Sequence, residues 1–429
     1  MISALGGYLF GFDFAVISGT LPFLKIQFGM NVYQEGFTTA SLALGCMIGC
    51  VAAGRLSTRY GRRKALMCAA VIFAVSSLLM AIAPTLSFLI AARFLAGIGV
   101  GMASMLGPMY IAEVSPAQYR GRLVSLNQLA LVTGILVTNL VNYSLRNAGE
   151  DAWRWMFGLG AVPALLFFIG IIFLPESPRW LIRTGKTEEG KGILNKIGNS
   201  SFAEETFRSI QQSGAFQAKT SLSSLFKHPY RNAVIAGISL AVFQQFCGIN
   251  VVFNYTSVIF ESIGFSKDDQ LLQTIFIGAV NLVFTLIAIS LVDRIGRKPM
   301  MLTGAAGLAI LYILIAASLQ AGSLYTTIFL LAAIGLYAST IAPVTWVLIS
   351  ELFPNNIRDA ATSLSVVCLW AAYFVLTFTF PLMAEWLGGV ANTFYVYAGI
   401  CVAGAFFITI KIKETKGKTL ESMNQVFVH

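Results

Sequence analysis

A chain of 429 residues that is 57% hydrophobic and only 11% charged, with a mean hydropathy of +0.76, is too apolar to be a soluble domain. Its formal charge of +10 does not point to nucleic acid, because the basic residues are distributed over the ends of apolar runs instead of forming one phosphate-binding face. A polytopic membrane protein remains, since each crossing of the hydrocarbon core takes roughly 20 apolar residues as a helix.

Twelve stretches are predicted as membrane helices, at 2–24, 37–54, 65–83, 86–112, 123–145, 154–174, 232–260, 271–292, 299–319, 325–350, 360–384 and 392–412. The first is long and lacks a basic leader, which argues against a cleavable signal peptide. It begins abruptly, with Gly6, Gly7 and Asp13 close behind Met1, so the first helix is expected to be short at its amino end or to lack residues that belong to it. Asp13 carries the most weight of any single residue, because a carboxylate in an apolar helix costs several kcal/mol unless neutralised, paired or hydrated. Arg93, in the fourth stretch, is the other charge set well inside a span and is its expected partner. Burial disfavours the carboxylate's charge and a nearby guanidinium favours it, so a movement that changes their separation would load and release a proton. The alternative is a static ion pair holding two helices together. The Gly97, Gly99, Gly101 series that follows Arg93 lacks the spacing of a dinucleotide loop, and Gly97-x3-Gly101 reads as close helix packing.

After the second stretch comes Gly61-Arg62-Arg63-Lys64, which recurs as Gly296-Arg297-Lys298, 235 positions on, while Glu113-x6-Arg120 recurs as Glu351-x6-Arg358, 238 positions on. The chain therefore has two similar halves, each a bundle of membrane helices, as in transporters built from internal repeats. With the Gly-Arg-Arg-Lys loop in the cytoplasm, alternation of sides puts 24 Lys/Arg inside and 4 outside (Lys25, Arg146, Arg154, Lys267). This positive-inside pattern predicts both termini in the cytoplasm of a plasma membrane, or of the inner membrane of a Gram-negative cell. The organisation expected is an N-terminal six-helix bundle at 1–174, a cytoplasmic linker at 175–231, a C-terminal six-helix bundle at 232–412 and a cytoplasmic tail at 413–429. In the linker, Leu181, Ile182, Ile193 and Leu194 among charged residues predict short amphipathic helices on the cytoplasmic face, or else a solvated linker.

Gln128, Gln244, Gln245, Asn250 and Asn281 all fall in apolar stretches, where an unsatisfied amide is penalised. Together with Trp346 and Trp370 they suit a neutral polyhydroxylated ligand, because amides offer donors and acceptors to hydroxyls and indole faces cover the apolar side of a sugar ring. Gly248 and Pro343 would let helices break near the midplane. Cys46, Cys50, Cys68, Cys247, Cys368 and Cys401 form no CxxC pair and read as small core residues, so no disulfide or metal site is expected. No nucleophile and base, phosphate loop or cofactor motif argues for an enzyme.

Seven motifs in order, Gly6-Gly-Tyr-Leu-Phe-Gly-Phe-Asp13-Phe-Ala-Val-Ile-Ser-Gly19, Gly61-Arg-Arg-Lys64, Pro108-Met-Tyr-Ile-Ala-Glu113, Arg120-Gly121, Pro175-Glu-Ser-Pro-Arg-Trp-Leu181, Gln244-Gln-Phe-Cys-Gly-Ile-Asn250 and Glu414-Thr-Lys-Gly417, resemble the sugar porter family of the major facilitator superfamily over nearly the whole chain, with bacterial D-xylose/proton symporters the nearest branch. The resemblance implies an all-α membrane protein with twelve transmembrane helices in two pseudo-symmetric six-helix bundles. It implies sugar contacts at Gln128, Gln244, Gln245, Asn250, Asn281, Trp346 and Trp370, with Phe10 and Tyr255 as aromatic neighbours. It implies proton coupling by Asp13 with Arg93, and a cytoplasmic gate network of Arg62, Glu113, Arg120, Asp293, Arg297, Glu351 and Arg358. As surface pairs the gate residues would be individually weak; as a network present in one state they would bias a conformational equilibrium. The family pattern is altered at Ile135, Ala342 and Leu369, which make the expected pocket more apolar and crowded, and at Thr58, Asn254 and Lys413, which change gating positions.

The function expected is import of a monosaccharide, a xylose-like pentose or hexose, by proton symport through alternating access. A facilitative uniporter is the alternative, and a non-transporting sugar sensor a remote one. The partners expected are sugar, proton and bilayer, with no cofactor, no metal and no nucleic acid, in a monomer.

Overall fold

The computed structural model describes residues 2–116, 120–198, 200–215, 225–228, 230–353, 357–412 and 414, and among these every regular element is helical. A 3-10 turn at Ile2–Ala4 leads into α1 (Leu5–Phe28), α2 (Val32–Tyr60), α3 (Arg62–Ala81), α4 (Leu86–Val114), α5 (Arg120–Ser144), α6 (Ala152–Gly158) and α7 (Ala161–Ile172). Three short helices follow, α8 (Pro178–Arg183), α9 (Thr187–Ile197) and α10 (Ser200–Ala215). The second half contains α11 (Arg231–Phe246), α12 (Ile249–Asn254), α13 (Thr256–Glu261), α14 (Lys267–Ile295), α15 (Arg297–Gln320), α16 (Tyr325–Ser339), α17 (Ile341–Leu352), α18 (Arg358–Trp386) and α19 (Val390–Lys411). Among the described residues, eleven helical runs are long and apolar enough to cross a membrane. α5, at 25 residues, occupies the fifth predicted stretch. Helices suit these segments because hydrocarbon offers no partner to an open N–H or C=O.

Three predicted stretches are interrupted. Gly248 sits at φ +88, in the left-handed region, and separates α11 from α12, a conformation glycine adopts without a Cβ penalty. Thr340 leaves helical geometry between α16 and α17. Pro343 is the third residue of α17, and its ring and missing N–H disrupt the turn that would bond the carbonyl four residues back, at Ser339. Pro163 holds the same third position in α7, after the break at Leu159 and Gly160.

Two compact units emerge, one of Met1–Asp13, Leu44–Gly134 and Phe157–Lys219, the other of Phe14–Ala43, Ile135–Met156 and Thr220–His429. In the first, α2 and α4 cross where small residues face each other. A Cβ on Gly45 would lie 2.9 Å from the Gly97 Cα, and one on Gly101 would lie 2.7 Å from the Cys46 Cα. Gly97-x3-Gly101 is thus a packing seam, met by a Gly45-x3-Gly49 seam on α2. The linker helices pack on one another through Leu194, Ala203 and Phe207, with Ile182 and Phe202 against them.

Of the six cysteines expected in the core, Cys46, Cys50, Cys247 and Cys401 are buried, Cys368 is intermediate and Cys68 is exposed. Cys68 belongs to an outward stripe of α3 with Val71, Val75 and Leu78. At 3–4 residue spacing this is one helix face, and an apolar face is what lipid solvates.

Adding one methyl group at the seam, in Gly101→Ala, is expected to cost about 1–3 kcal/mol by overpacking and to lower the melting temperature of the detergent-solubilised protein. A variant melting with the wild type would contradict the close crossing.

Candidate functional site

In the first unit, α1 carries Asp13 and α4 carries Arg93, and the two side chains meet. Arg93 Nη2 lies 3.6 Å from Asp13 Oδ2, with each side chain only 1% exposed. The guanidinium also lies over the Phe157 ring, 5.7 Å from its centroid. Asp13 Oδ2 accepts no hydrogen bond among the described residues, so Arg93 is the main compensation for its charge. In a dry interior the loss of either partner would strand the other. The pair joins one helix that is shared between the two units to one that is not, since Phe14 already belongs to the second unit. Phe14 packs against Phe253 at 5.8 Å and Tyr373 at 5.7 Å.

The repeated charged motifs build the same device twice. In the first unit Gly61 turns the chain at φ +93 into α3, and Glu176 Oε1 accepts from the amides of Arg62 at 2.9 Å and Arg63 at 3.2 Å. A carboxylate thus satisfies open N–H groups at a helix N-terminus, where the dipole favours it. Tyr110 OH donates to Pro175 O at 2.6 Å and fixes the segment that bears Glu176. Arg62 forms a bidentate pair with Glu113, Nε to Oε2 and Nη2 to Oε1 both at 3.0 Å. Ser177 Oγ donates to Glu113 Oε2. In the second unit Gly296 turns at φ +109, and Glu414 accepts from the amides of Arg297 and Lys298, both at 3.0 Å. Arg297 Nη2 meets Glu351 Oε1 at 3.1 Å. The first pair is not the weak surface contact expected from sequence: its side chains are 10% and 7% exposed, and a bidentate, shielded pair outweighs a solvated one. Arg358 donates from Nε and Nη2 to Phe353 O, at 3.2 and 3.0 Å. The side chains of Arg120 and Asp293 lie outside the described residues. Glu176 and Glu414 were absent from the expected network, although they share the 238-residue offset of Glu113 and Glu351, a signal that would have found them.

The second unit gathers most of the predicted amides. Gln244, Gln245, Asn250 and Asn281 are all buried. Asn250 Nδ2 donates to Gln245 Oε1, and Gln245 Nε2 donates to Gln244 Oε1 at 3.4 Å. The break at Gly248 makes the first bond possible, because it turns Asn250 back toward the last turn of α11. Trp370 is buried against Tyr373 with centroids 5.7 Å apart, whereas Trp346 is 41% exposed. Tyr255 is fully buried: its hydroxyl donates to Thr377 O at 2.8 Å and its ring meets Phe380 at 4.8 Å. Asn254 Nδ2 donates to Tyr373 OH at 2.8 Å. Phe10 on α1 and Gln128 on α5 are half-buried in the first unit.

The second unit also holds a set of contacts that the sequence did not signal, most of them between helices of the two halves of the chain. Lys25 at the end of α1 lies 3.4 Å from Glu35 on α2 and 3.8 Å from Glu261 on α13. Arg146 lies 3.4 Å from Asp268 on α14. Lys267 Nζ stands 3.2 Å from the centroid of the Phe23 ring. Between these, Asn139 Nδ2 donates to Thr274 O at 2.6 Å and Ser257 Oγ donates to Ser18 O at 2.8 Å.

Duplicated arginine-carboxylate devices, broken helices lined with amides and an all-helical membrane architecture define a transporter of the major facilitator fold. A family model described as "Sugar (and other) transporter" matches residues 1–427, and the chain belongs to that family. It is 39% identical to the D-xylose-proton symporter of Escherichia coli (strain K12), over 100% of this chain and 94% of that protein. It is 37% identical to the arabinose-proton symporter of Bacillus subtilis (strain 168), over 99% of this chain and 94% of that protein. Among solved structures it is similar to the partially occluded inward open conformation of the E. coli xylose transporter XylE, with a TM-score of 0.87, 38% identity and coverage of 97% of this chain and 98% of that one.

Proposed function

We propose that this chain imports a monosaccharide together with a proton by alternating access across the plasma membrane, as a monomer with both termini in the cytoplasm. The observation that carries this reading is the Asp13–Arg93 pair, a carboxylate and a guanidinium 3.6 Å apart and sealed from solvent. Its similarity to proton symporters for xylose and arabinose supports the same reading. Protonation of Asp13 removes the attraction to Arg93, and deprotonation restores it, so the proton's presence is read as a change in what holds α1 to α4. Because α1 continues through Phe14 into the second unit, that change reaches the packing around Phe253 and Tyr373. Gln128, Gln244, Gln245, Asn250, Asn281, Trp346 and Trp370 are assigned as sugar contacts, with Phe10 and Tyr255 beside them. The amides offer donors and acceptors to hydroxyls, and the indoles offer faces to C–H groups. Ile135, lining a small recess with Phe14, Asn139, Phe253, Thr256 and Ile277, and buried Leu369 are assigned as positions that make the sugar pocket more apolar. Arg62–Glu113 and Arg297–Glu351 are assigned to a cytoplasmic gate network together with Arg120, Asp293 and Arg358.

Lys25, Arg146 and Lys267 lie on the external side in the topology set by the basic loops. They join the two halves of the chain there, so they hold the outer ends together in the state described.

Asp13→Asn is expected to abolish uphill sugar accumulation while leaving counterflow exchange within a few-fold of wild type; accumulation that survives the substitution rules out the proton assignment. Arg146→Asp removes an outer ion pair that is partly exposed and therefore modest, and it is expected to shift the ratio of external to internal apparent sugar affinity roughly two-fold toward the external side. Adding Asp268→Arg should restore the ratio. Equal loss on both faces, or no rescue by the swap, would remove these residues from the outer closure.

A further inference from the structure

We propose that Tyr373 is a positioning residue that couples sugar binding to the proton helix α1, through a hydrogen bond with Asn254, which itself receives a sugar hydroxyl. The inference rests on the reading of Asp13 as the proton site and of Asn250 and Trp370 as sugar contacts. Asn254 Nδ2 donates to the Tyr373 phenol oxygen at 2.8 Å, and the two residues are 0% and 2% exposed. Asn254 ends α12, one turn after Asn250, and Tyr373 follows Trp370 by one turn of α18. Residues three or four apart share a helix face, so the bond ties together the two faces that bear the assigned contacts.

The same tyrosine reaches α1. Its ring meets Trp370 edge-on at 5.7 Å and Phe14 at 5.7 Å. Phe14 directly follows Asp13 in α1 and also packs on Phe253, the neighbour of Asn254 in α12, at 5.8 Å. One residue beyond its carboxylate, α1 is therefore gripped by a ring of α12 and a ring of α18, and the Asn254–Tyr373 bond fixes how far apart those rings stand. The amide of Asn254 is only half satisfied: Nδ2 is used, while Oδ1 is buried and accepts no hydrogen bond among the described residues. A buried acceptor without a donor is a standing cost, and a hydroxyl of a polyhydroxylated ligand supplies the missing donor. A sugar that engages Oδ1 thus pulls on the clasp that holds Phe14, next to the group that takes the proton.

The test compares wild type, Asn254→Leu, Tyr373→Phe and the double variant, with Asp13→Asn and Asn250→Ala as references, using labelled D-xylose and L-arabinose. Counterflow exchange without a gradient gives KM, and steady-state accumulation under an imposed pH gradient reads the coupling. Asn254→Leu is expected to raise exchange KM about five-fold, the size of one hydrogen bond. Tyr373→Phe keeps both ring contacts and the Asn254 oxygen, so it should raise exchange KM no more than about two-fold. It should nevertheless lower accumulation about five-fold, the low end of a coupling between two sites, and on the Asn254→Leu background lower it no further. The double variant strands no buried polar group, so its melting temperature should match wild type and separates coupling from folding. Wild-type accumulation in Tyr373→Phe, exchange and accumulation lost in equal proportion, an effect that adds in full to that of Asn254→Leu, or a wild-type KM in Asn254→Leu would overturn the proposal while leaving both sites standing. Accumulation surviving in Asp13→Asn, a wild-type exchange KM in Asn250→Ala, or exchange of neither sugar by wild type would instead remove the reading on which it rests, and the coupling with it.

Discussion

A charge inside hydrocarbon must find its opposite within a few ångströms, and in this chain that constraint falls on Asp13. Its partner comes from a different helix, Arg93 on α4, 3.6 Å away, and both are closed off from water. Everything that positions this contact has to be rigid. Small residues serve that end: the Gly45 and Gly97/Gly101 seams bring α2 and α4 to van der Waals distance, and Phe157 covers the guanidinium. The interaction is also switchable, since one proton cancels it. A pair whose strength depends on protonation, set on a helix that two units share, is a physical basis for coupling proton occupancy to conformation.

The other charges divide by position. The paired devices at Glu176/Arg62/Glu113 and Glu414/Arg297/Glu351 each lie inside one half of the chain and tie short loops to helix N-termini. The contacts of Lys25, Arg146 and Lys267 instead join one half to the other. Each duplicated device is complete within its own half.

Much of this was legible in sequence because hydrophobic runs report hydrocarbon directly. The runs did not give helix ends: 37–54 was predicted where α2 extends over Val32–Tyr60, since backbone hydrogen bonding continues past the last apolar residue while hydropathy registers only the bilayer. Asp13 and Arg93 stood out because charge is rare in such runs, and Gly248 because glycine is cheap where the backbone turns left-handed. The interrupted α16–α17 run followed from Pro343. What sequence could not supply was direction. Glu176 and Glu414 were named only as motif residues, and the structure sets their carboxylates on backbone amides; the Asn250–Gln245–Gln244 chain depends on Gly248 turning α12 back toward the last turn of α11. Cys68 was assigned to the core by composition, but in a membrane an apolar residue is equally at home facing outward.

The most direct measurement is the proton movement that accompanies sugar entry into proteoliposomes loaded with a pH-sensitive dye, with no imposed gradient other than that of D-xylose or L-arabinose. The account predicts that sugar entry acidifies the lumen in proportion to the sugar taken up. Labelled sugar entering with no change in lumenal pH would contradict it, and would leave Asp13 and Arg93 as a bond between two helices and nothing more.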